Sequence, residues 1–347
     1  MHYDKWIWLI KAIKGKGGGG GGGEEYEPVT LKTFNFFDYD GTLLLSYTGA
    51  EIAAMTELPA LPIQHEELEF DGWNWTLEEL KAVPMAFVGA LYQPKVGSDS
   101  KIPIADIEVV KPGAAVTAGT TYVEKDWGDG TISSEITHTY TKLGKYKIRA
   151  SEAVAALTNS TGTGYGAFLT KVYTHYDGIY RYRTQRHLQD VAFGSDSILD
   201  MKQYFKDCSS LKHATLPRTV TQIGASSEGT TFSACYSLFS LCVPPTVTKV
   251  LYNAFTLNTG IPFLILPPAV DTIQSSPLGA DGILVVMSTT PPSLYNNRTL
   301  GTTGSIPKIY VPDDSVATYK AATNWSTYAG LIYPISDLIT ELEGGTT

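Results

Sequence analysis

A repeat in the second half of the chain constrains the fold more than any other feature. Leu216-Pro217-Arg218-Thr219-Val220-Thr221-Gln222-Ile223 returns as Val243-Pro244-Pro245-Thr246-Val247-Thr248-Lys249-Val250, and again as Leu266-Pro267-Pro268-Ala269-Val270-Asp271-Thr272-Ile273, at spacings of 27 and 23 residues. Ahead of the first two copies, Cys208-Ser209-Ser210-Leu211 and Cys235-Tyr236-Ser237-Leu238 put their cysteines in equivalent places. A unit of this size cannot bury its apolar face alone, and stacking identical units makes the core continuous. The recurring Leu, Val and Ile positions therefore predict a solenoid over residues 181–347.

The cadence resembles the BspA-type leucine-rich repeat from about Gln185 to Ile335, with Leu188 to Gly194 as an earlier, degenerate unit. Ile283 to Met287, then Thr289-Thr290-Pro291-Pro292-Ser293, then Lys308 to Pro312 resembles the usual end of such arrays. That resemblance implies a closing strand, a short helix at Ser315 to Ala322 and a turn carrying Trp325 and Tyr328, which together cap the stack.

Upstream, residues 95–180 contain Asp126-Trp127-Gly128-Asp129-Gly130-Thr131, His138-Thr139-Tyr140 and Gly144-Lys145-Tyr146-Lys147-Ile148. Ile136, His138 and Tyr140, and likewise Tyr146, Ile148 and Ala150, alternate with polar residues at the period of a half-buried antiparallel strand. A β-sandwich follows, and the string resembles PKD-type immunoglobulin-like domains. Its closing strand is obscured by the small, polar stretch from Ser151 to Gly166. Asp126 and Asp129 are candidate calcium ligands by type, but the oxygen-ligand series of a calcium loop does not continue, so an Asp-Gly turn fixing a hairpin is the preferred reading.

Residues 24–94 are rich in aromatics: Phe34, Phe36, Phe37, Tyr39, then Gly72-Trp73-Asn74-Trp75. Thr76 before Leu77-Glu78-Glu79-Leu80 predicts an N-cap with an acidic first turn, and a strand or two with two short helices is expected. Phe37-Asp38-Tyr39-Asp40-Gly41-Thr42-Leu43 resembles the first motif of haloacid-dehalogenase-type phosphohydrolases, where the first Asp is nucleophile and the second general acid. That chemistry needs a following α/β domain with a Thr or Ser, a Lys and a magnesium-binding acidic pair. Prolines, a Trp pair and β repeats follow instead, so the Asp-Gly is read as a hairpin turn. Phe34 to Ala82 resembles a module of predicted structural proteins of gut phages and prophages, on the Asp-Gly-Thr turn, the Tyr47-Thr48 helix start and the Gly-Trp-Asn-Trp string.

The chain begins MHYDKWIWLIKAIKGK and runs into seven glycines, Gly17 to Gly23. Trp6, Ile7, Trp8, Leu9 and Ile10 are too few to span a bilayer, and the lysines that follow do not make a signal-peptide cleavage site. An exposed apolar run of this kind is costly in water, so residues 1–23 read as an anchor peptide on a flexible glycine tether.

A formal charge of -9 argues against a nucleic-acid partner, which needs clustered Lys and Arg, and the one short basic run, Arg181, Arg183, Arg186 and His187, reads as a solvated strand face. Cys208, Cys235 and Cys242 lack zinc spacing, and the six histidines are scattered. No catalytic, cofactor-binding or metal-ligating residue is therefore expected, and neither an enzyme nor a membrane protein. The predicted class is a mainly β, multidomain chain: a small α+β module, an immunoglobulin-like sandwich, then a leucine-rich-repeat solenoid. Together with the phage resemblance this implies a virion-surface structural protein, a head, neck or tail fibre or decoration protein. Trp6 to Ile10 would bind other virion proteins (capsid, neck or tail), and the repeats would touch a host surface glycan or protein or mucus. A homo-oligomer is possible, a trimer by analogy with phage fibres. The alternatives are a bacterial cell-surface adhesin and, more distantly, the phosphohydrolase.

Overall fold

The computed structural model describes residues 31–343 apart from internal stretches, the longer of which are 96–103, 119–123, 151–156, 160–166, 179–185, 225–230, 256–260, 275–281 and 302–307. The anchor residues Trp6 to Ile10 and the glycine run lie outside the described residues. The fold is mainly β, with 34% strand and 15% helix.

Strands β1 (Phe34–Phe37), β2 (Leu43–Tyr47), β3 (Leu68–Trp73) and β4 (Ala86–Pro94) form one sheet in the order β2-β1-β4-β3. The β1–β2 hairpin is antiparallel and closed by the Asp-Gly turn, where Asp40 Oδ1 accepts from the Thr42 N–H at 2.9 Å and Gly41 adopts φ +85°. Central β1 and β4 run parallel, which requires the crossover through two short helices. Those helices, Gly49–Ala54 and Leu77–Lys81, each begin with a complete capping box, Thr48 with Glu51 and Thr76 with Glu79. Four strands stand where one or two were expected, because the prolines and the Gly72 bulge between the aromatic runs obscure their boundaries.

The second unit packs two sheets around Trp127, which is fully buried with Ile107, Val116, Tyr140 and Ile148. β5 (Ile104–Val109), β7 (Lys125–Asp126), β8 (Ile132–Ser133), β10 (Gly144–Ala150) and β12 (Ala167–Thr174) belong to one sheet; β6 (Ala114–Ala118), β9 (Thr137–Tyr140) and β11 (Leu157–Asn159) form the other. The expected alternation begins one residue late: Ile136 precedes β9 and is 38% exposed, while Tyr140 points inward. The closing strand missing from the sequence reading is β12. It pairs antiparallel with β5 and, on its other edge, parallel with Asp190–Phe193, so a hydrogen-bonded sheet continues from this unit into the repeats.

In the repeat region, strands Asp190–Phe193, His213–Thr215, Ser240–Cys242, Phe263–Leu266, Ile283–Val286, Lys308–Val311 and Ile332–Pro334 lie side by side, their hydrogen-bonded neighbours parallel. A second parallel ladder joins Gln222–Ile223, Lys249–Val250, Thr272–Ile273 and Ser293–Leu294. Its register places Ile223 beside Val250, Ile273 and Leu294, matching the sequence repeats position for position. Between the ladders Phe205, Phe232 and Phe255 stack face to face, with centroids 5.3 and 5.5 Å apart. A helix spans Val316–Ala321, and Trp325 and Tyr328 are buried, with Trp325 Nε1 donating to the Pro292 carbonyl at 2.7 Å. A final helix, Ile335–Leu342, adds Ile335 and Leu338 to the core.

Candidate functional site

An array of parallel strands offers one broad sheet face for binding. Here that face is covered by the chain itself. Along Phe263–Leu266, Leu264 and Leu266 turn into the repeat core while Phe263 and Ile265 turn outward, yet all four are buried. The outward set, continued by Val285, Met287 and Tyr310, shares one apolar cluster with β1 and β4. Phe87 meets Phe263 edge-on at 4.9 Å, and Phe37 lies 6.1 Å from His213. At Gly89 the β4 backbone passes so close to Thr215 that a Cβ would overlap that side chain.

Polar bonds fix the seam. Fully buried Asn74 takes Oδ1 to the Gly89 N–H at 2.8 Å and gives its Nδ2 protons to the carbonyls of Leu216 and Cys242 at 3.1 and 3.2 Å. Trp75 Nε1 donates to the Val243 carbonyl at 3.1 Å. The Gly-Trp-Asn-Trp string thus locks the module onto loops that follow two repeat strands. At the rim, Arg218 grips Glu79 with both terminal nitrogens, at 2.5 and 2.9 Å. Burial alone would raise the Glu79 carboxyl, but the bonds from Arg218 and Thr76 outweigh it and hold it below its ordinary value. Glu67 similarly ties the module to β10, accepting from Lys147 at 2.5 Å and Arg149 at 2.6 Å.

The Asp38 that resembles a nucleophile is 3% exposed and engaged on both oxygens. Oδ1 accepts from the Tyr92 hydroxyl at 2.6 Å and the Tyr39 N–H at 2.7 Å, and Oδ2 lies 3.1 Å from His65 Nε2. Burial, reinforced by the Asp38 charge, raises the Tyr92 phenol well above its usual value, so it stays a donor. The Asp38, His65, Tyr39 and Tyr92 side chains brace the hairpin. In the second unit Asp126 accepts from the Gly128 N–H and Asp129 from the Thr131 N–H, at 2.8 and 3.0 Å, while Asp129 also pairs with His138 at 2.8 Å. His138 in turn stacks on Trp127. Both carboxylates serve the turn, and among the described residues no group of three or more His, Cys, Asp or Glu could hold a metal. Cys208, Cys235 and Cys242 are buried thiols that form no disulfide with one another.

Among the described residues, the second ladder keeps its outer side open to solvent. Gln222, Lys249 and Ser293 are exposed there, with Thr272 half-buried. Just beyond it stand Tyr252 and Tyr295, 48% and 61% exposed, with ring centroids 5.3 Å apart. Gln274 lies on the intervening rung, its Oε1 accepting from the Tyr252 N–H at 3.2 Å. These three residues escaped the sequence reading because only the buried positions recur; their signal is that each follows a ladder pair by one or two places.

No helix among the described residues is long and apolar enough to cross a membrane. None of the curated proteins matches the chain. Residues 181–281 match the family described as BspA type Leucine rich repeat region, in six copies, so the repeat region carries BspA-type leucine-rich repeats.

Proposed function

We propose that this chain is a non-enzymatic recognition protein displayed on a bacteriophage particle, in which the repeats form a solenoid and the outer ladder, not the broad sheet face, meets the host surface. The observation that carries the recognition reading is the pairing of BspA-type repeats with a sheet face already occupied by residues 31–94, which leaves the outer ladder as the surface for a partner. BspA-type repeats suit surface adhesion and protein binding. The virion assignment rests on the resemblance of Phe34 to Ala82 to phage structural modules. In this reading residues 1–23 tether the chain to a capsid, neck or tail protein through Trp6, Ile7, Trp8, Leu9 and Ile10, and residues 95–180 act as an immunoglobulin-like spacer.

A second reading, a bacterial cell-surface adhesin, is favoured by the repeat family itself. Mass spectrometry of purified particles and of proteins shaved from intact cells separates the two. Many copies per particle, with the amino-terminal peptide protected against another virion protein, supports the first; recovery from cell surfaces alone sinks it. The phosphohydrolase reading is disfavoured by Asp38, which is 3% exposed and whose oxygens face Tyr92, Tyr39 and His65 in a buried corner away from an incoming phosphate ester.

A further inference from the structure

We propose that Tyr252 and Tyr295, with Gln274 between them, form a binding site for a neutral glycan; this names the partner class for the recognition surface above and rests on that reading. Every large apolar side chain left exposed among the described residues of the repeat region is a tyrosine: Tyr236, Tyr252 and Tyr295. Water tolerates a phenol more readily than Leu or Ile, but two rings held together in the open are a surface built for contact. Tyr252 follows the rung Lys249–Val250 and Tyr295 follows Ser293–Leu294, two rungs away, so they stand about 10 Å apart along the ladder at the usual strand spacing. The rings close that gap and lean toward each other across the Gln274 rung, tilted by 49°.

The backbone beneath is fixed. The Tyr295 N–H donates to the Ile273 carbonyl at 3.3 Å and the Gln274 N–H to Val250 at 2.7 Å. The turn after Tyr295 is closed by Asn296 Oδ1 accepting from the Arg298 N–H at 2.8 Å and Thr299 Oγ1 accepting from the Asn296 N–H at 2.9 Å. A preformed site loses little entropy on binding, and Tyr offers rigid contact area on two torsions.

The chemistry selects the occupant. A pyranose has one face of C–H groups, which lies on the electron-rich face of an aromatic ring, and a rim of hydroxyls that both donate and accept. The rungs that carry the rings also carry the Gln274 amide and the Ser293 and Thr272 hydroxyls, the last donating to Asp271 Oδ1 at 2.6 Å, and Asn296 follows Tyr295 in the chain, so the polar groups are neutral and of mixed donor and acceptor character. The nearest ladder charges, Lys249 and Asp271, are opposite in sign on adjacent rungs and offset each other, and the exposed Arg298 in the following turn is a single cation, not the basic cluster that a phosphate or sulfate calls for. Two rings and a few amides are also far smaller than the roughly 800 Å² per partner of a stable protein interface.

The test is binding of the full chain to a printed array of neutral oligosaccharides ending in glucose, galactose, mannose or N-acetylglucosamine, with sialylated and sulfated counterparts. Neutral glycans are expected to bind, Tyr252→Ala and Tyr295→Ala to weaken them at least ten-fold, and Tyr252→Phe, Tyr295→Phe and Tyr236→Ala to leave them within three-fold, all with an unchanged melting temperature. Binding to charged glycans alone, binding indifferent to both alanine changes, or no binding to any neutral glycan overturns the inference. Location on particle or cell is measured separately. A chain found on a surface but blind to neutral glycans sinks this inference and leaves the recognition reading; a chain that binds them but is absent from every surface does the reverse.

Discussion

Replacing Gly89 by alanine is the smallest change that strikes the seam between the aromatic module and the repeats. The added methyl must displace Thr215, which is buried in the adjoining strand, or push β4 away from it. Overpacking of this kind costs about 1–3 kcal/mol. If β4 retreats, the two Asn74 bonds to Leu216 and Cys242 lengthen together, and a buried donor left without its partner costs about 1–3 kcal/mol more. We therefore expect Gly89→Ala to destabilise the chain by about 2–4 kcal/mol, a fall of roughly 4–16 °C at about 2–4 °C per kcal/mol. Thermal and urea denaturation followed by circular dichroism measure it. Gly330→Ala, where an added Cβ meets nothing, is the control and should stay within about 0.5 kcal/mol. Adding Thr215→Ala to Gly89→Ala clears the Oγ1 and Cγ2 overlaps and should recover part of the loss. Wild-type stability in Gly89→Ala, or no recovery in the double variant, would refute the packing of β4 on the repeat strands.

The Glu79–Arg218 pair adds a pH dependence at the same seam. Because the Glu79 carboxyl lies below its ordinary value of 4.5 in the folded chain, its contribution is present above that value and is lost as pH falls through the folded one; Arg218→Ala should shrink the stability difference between pH 7 and pH 3. Removing Tyr92's acceptor with Asp38→Ala should cost about 1–3 kcal/mol in urea midpoint analysis, and neither wild type nor Asp38→Asn should turn over a phosphate ester with magnesium. With Asp126 and Asp129 committed to Gly128, Thr131 and His138, a chelator should leave the melting temperature unchanged and added calcium should not raise it; a rise of several degrees would revive a cation site. Burial pushes the Cys235 thiol up to about 12, and Cys208 and Cys242 are equally inaccessible, so a thiol reagent should modify the native chain far more slowly than the urea-unfolded one.

The repeats were legible because a ladder demands the same residue type at the same place in every unit. Ile223, Val250 and Ile273 recur for the reason that they touch. The phenylalanine stack obeys the same rule: Phe205, Phe232 and Phe255 are spaced 27 and 23 residues apart, as the Leu-Pro motif is, though their spacing was not read. The helix caps at Thr48 and Thr76 and the Asp-Gly turns were legible because they are local. The covering of the sheet face was not, since it depends on pairs such as Asn74 with Cys242, far apart in sequence and with no motif in common. One signal did exist. Phe263–Leu266 and the buried part of Ile283–Val286 are continuous apolar runs, not alternating ones, and a strand of that kind has both faces covered. The tyrosine pair is illegible for the opposite reason, because exposed positions are free to differ from unit to unit.

The broad sheet face is buried beneath residues 31–94 while the outer ladder stays open to solvent. Maleimide labelling of two variants with one added cysteine each, Val285→Cys on the sheet face and Ser293→Cys on the ladder, tests this arrangement, since the three native thiols are buried. Ser293→Cys should label rapidly and Val285→Cys should stay protected until the chain unfolds; equal, rapid labelling of both under native conditions would show the sheet face uncovered.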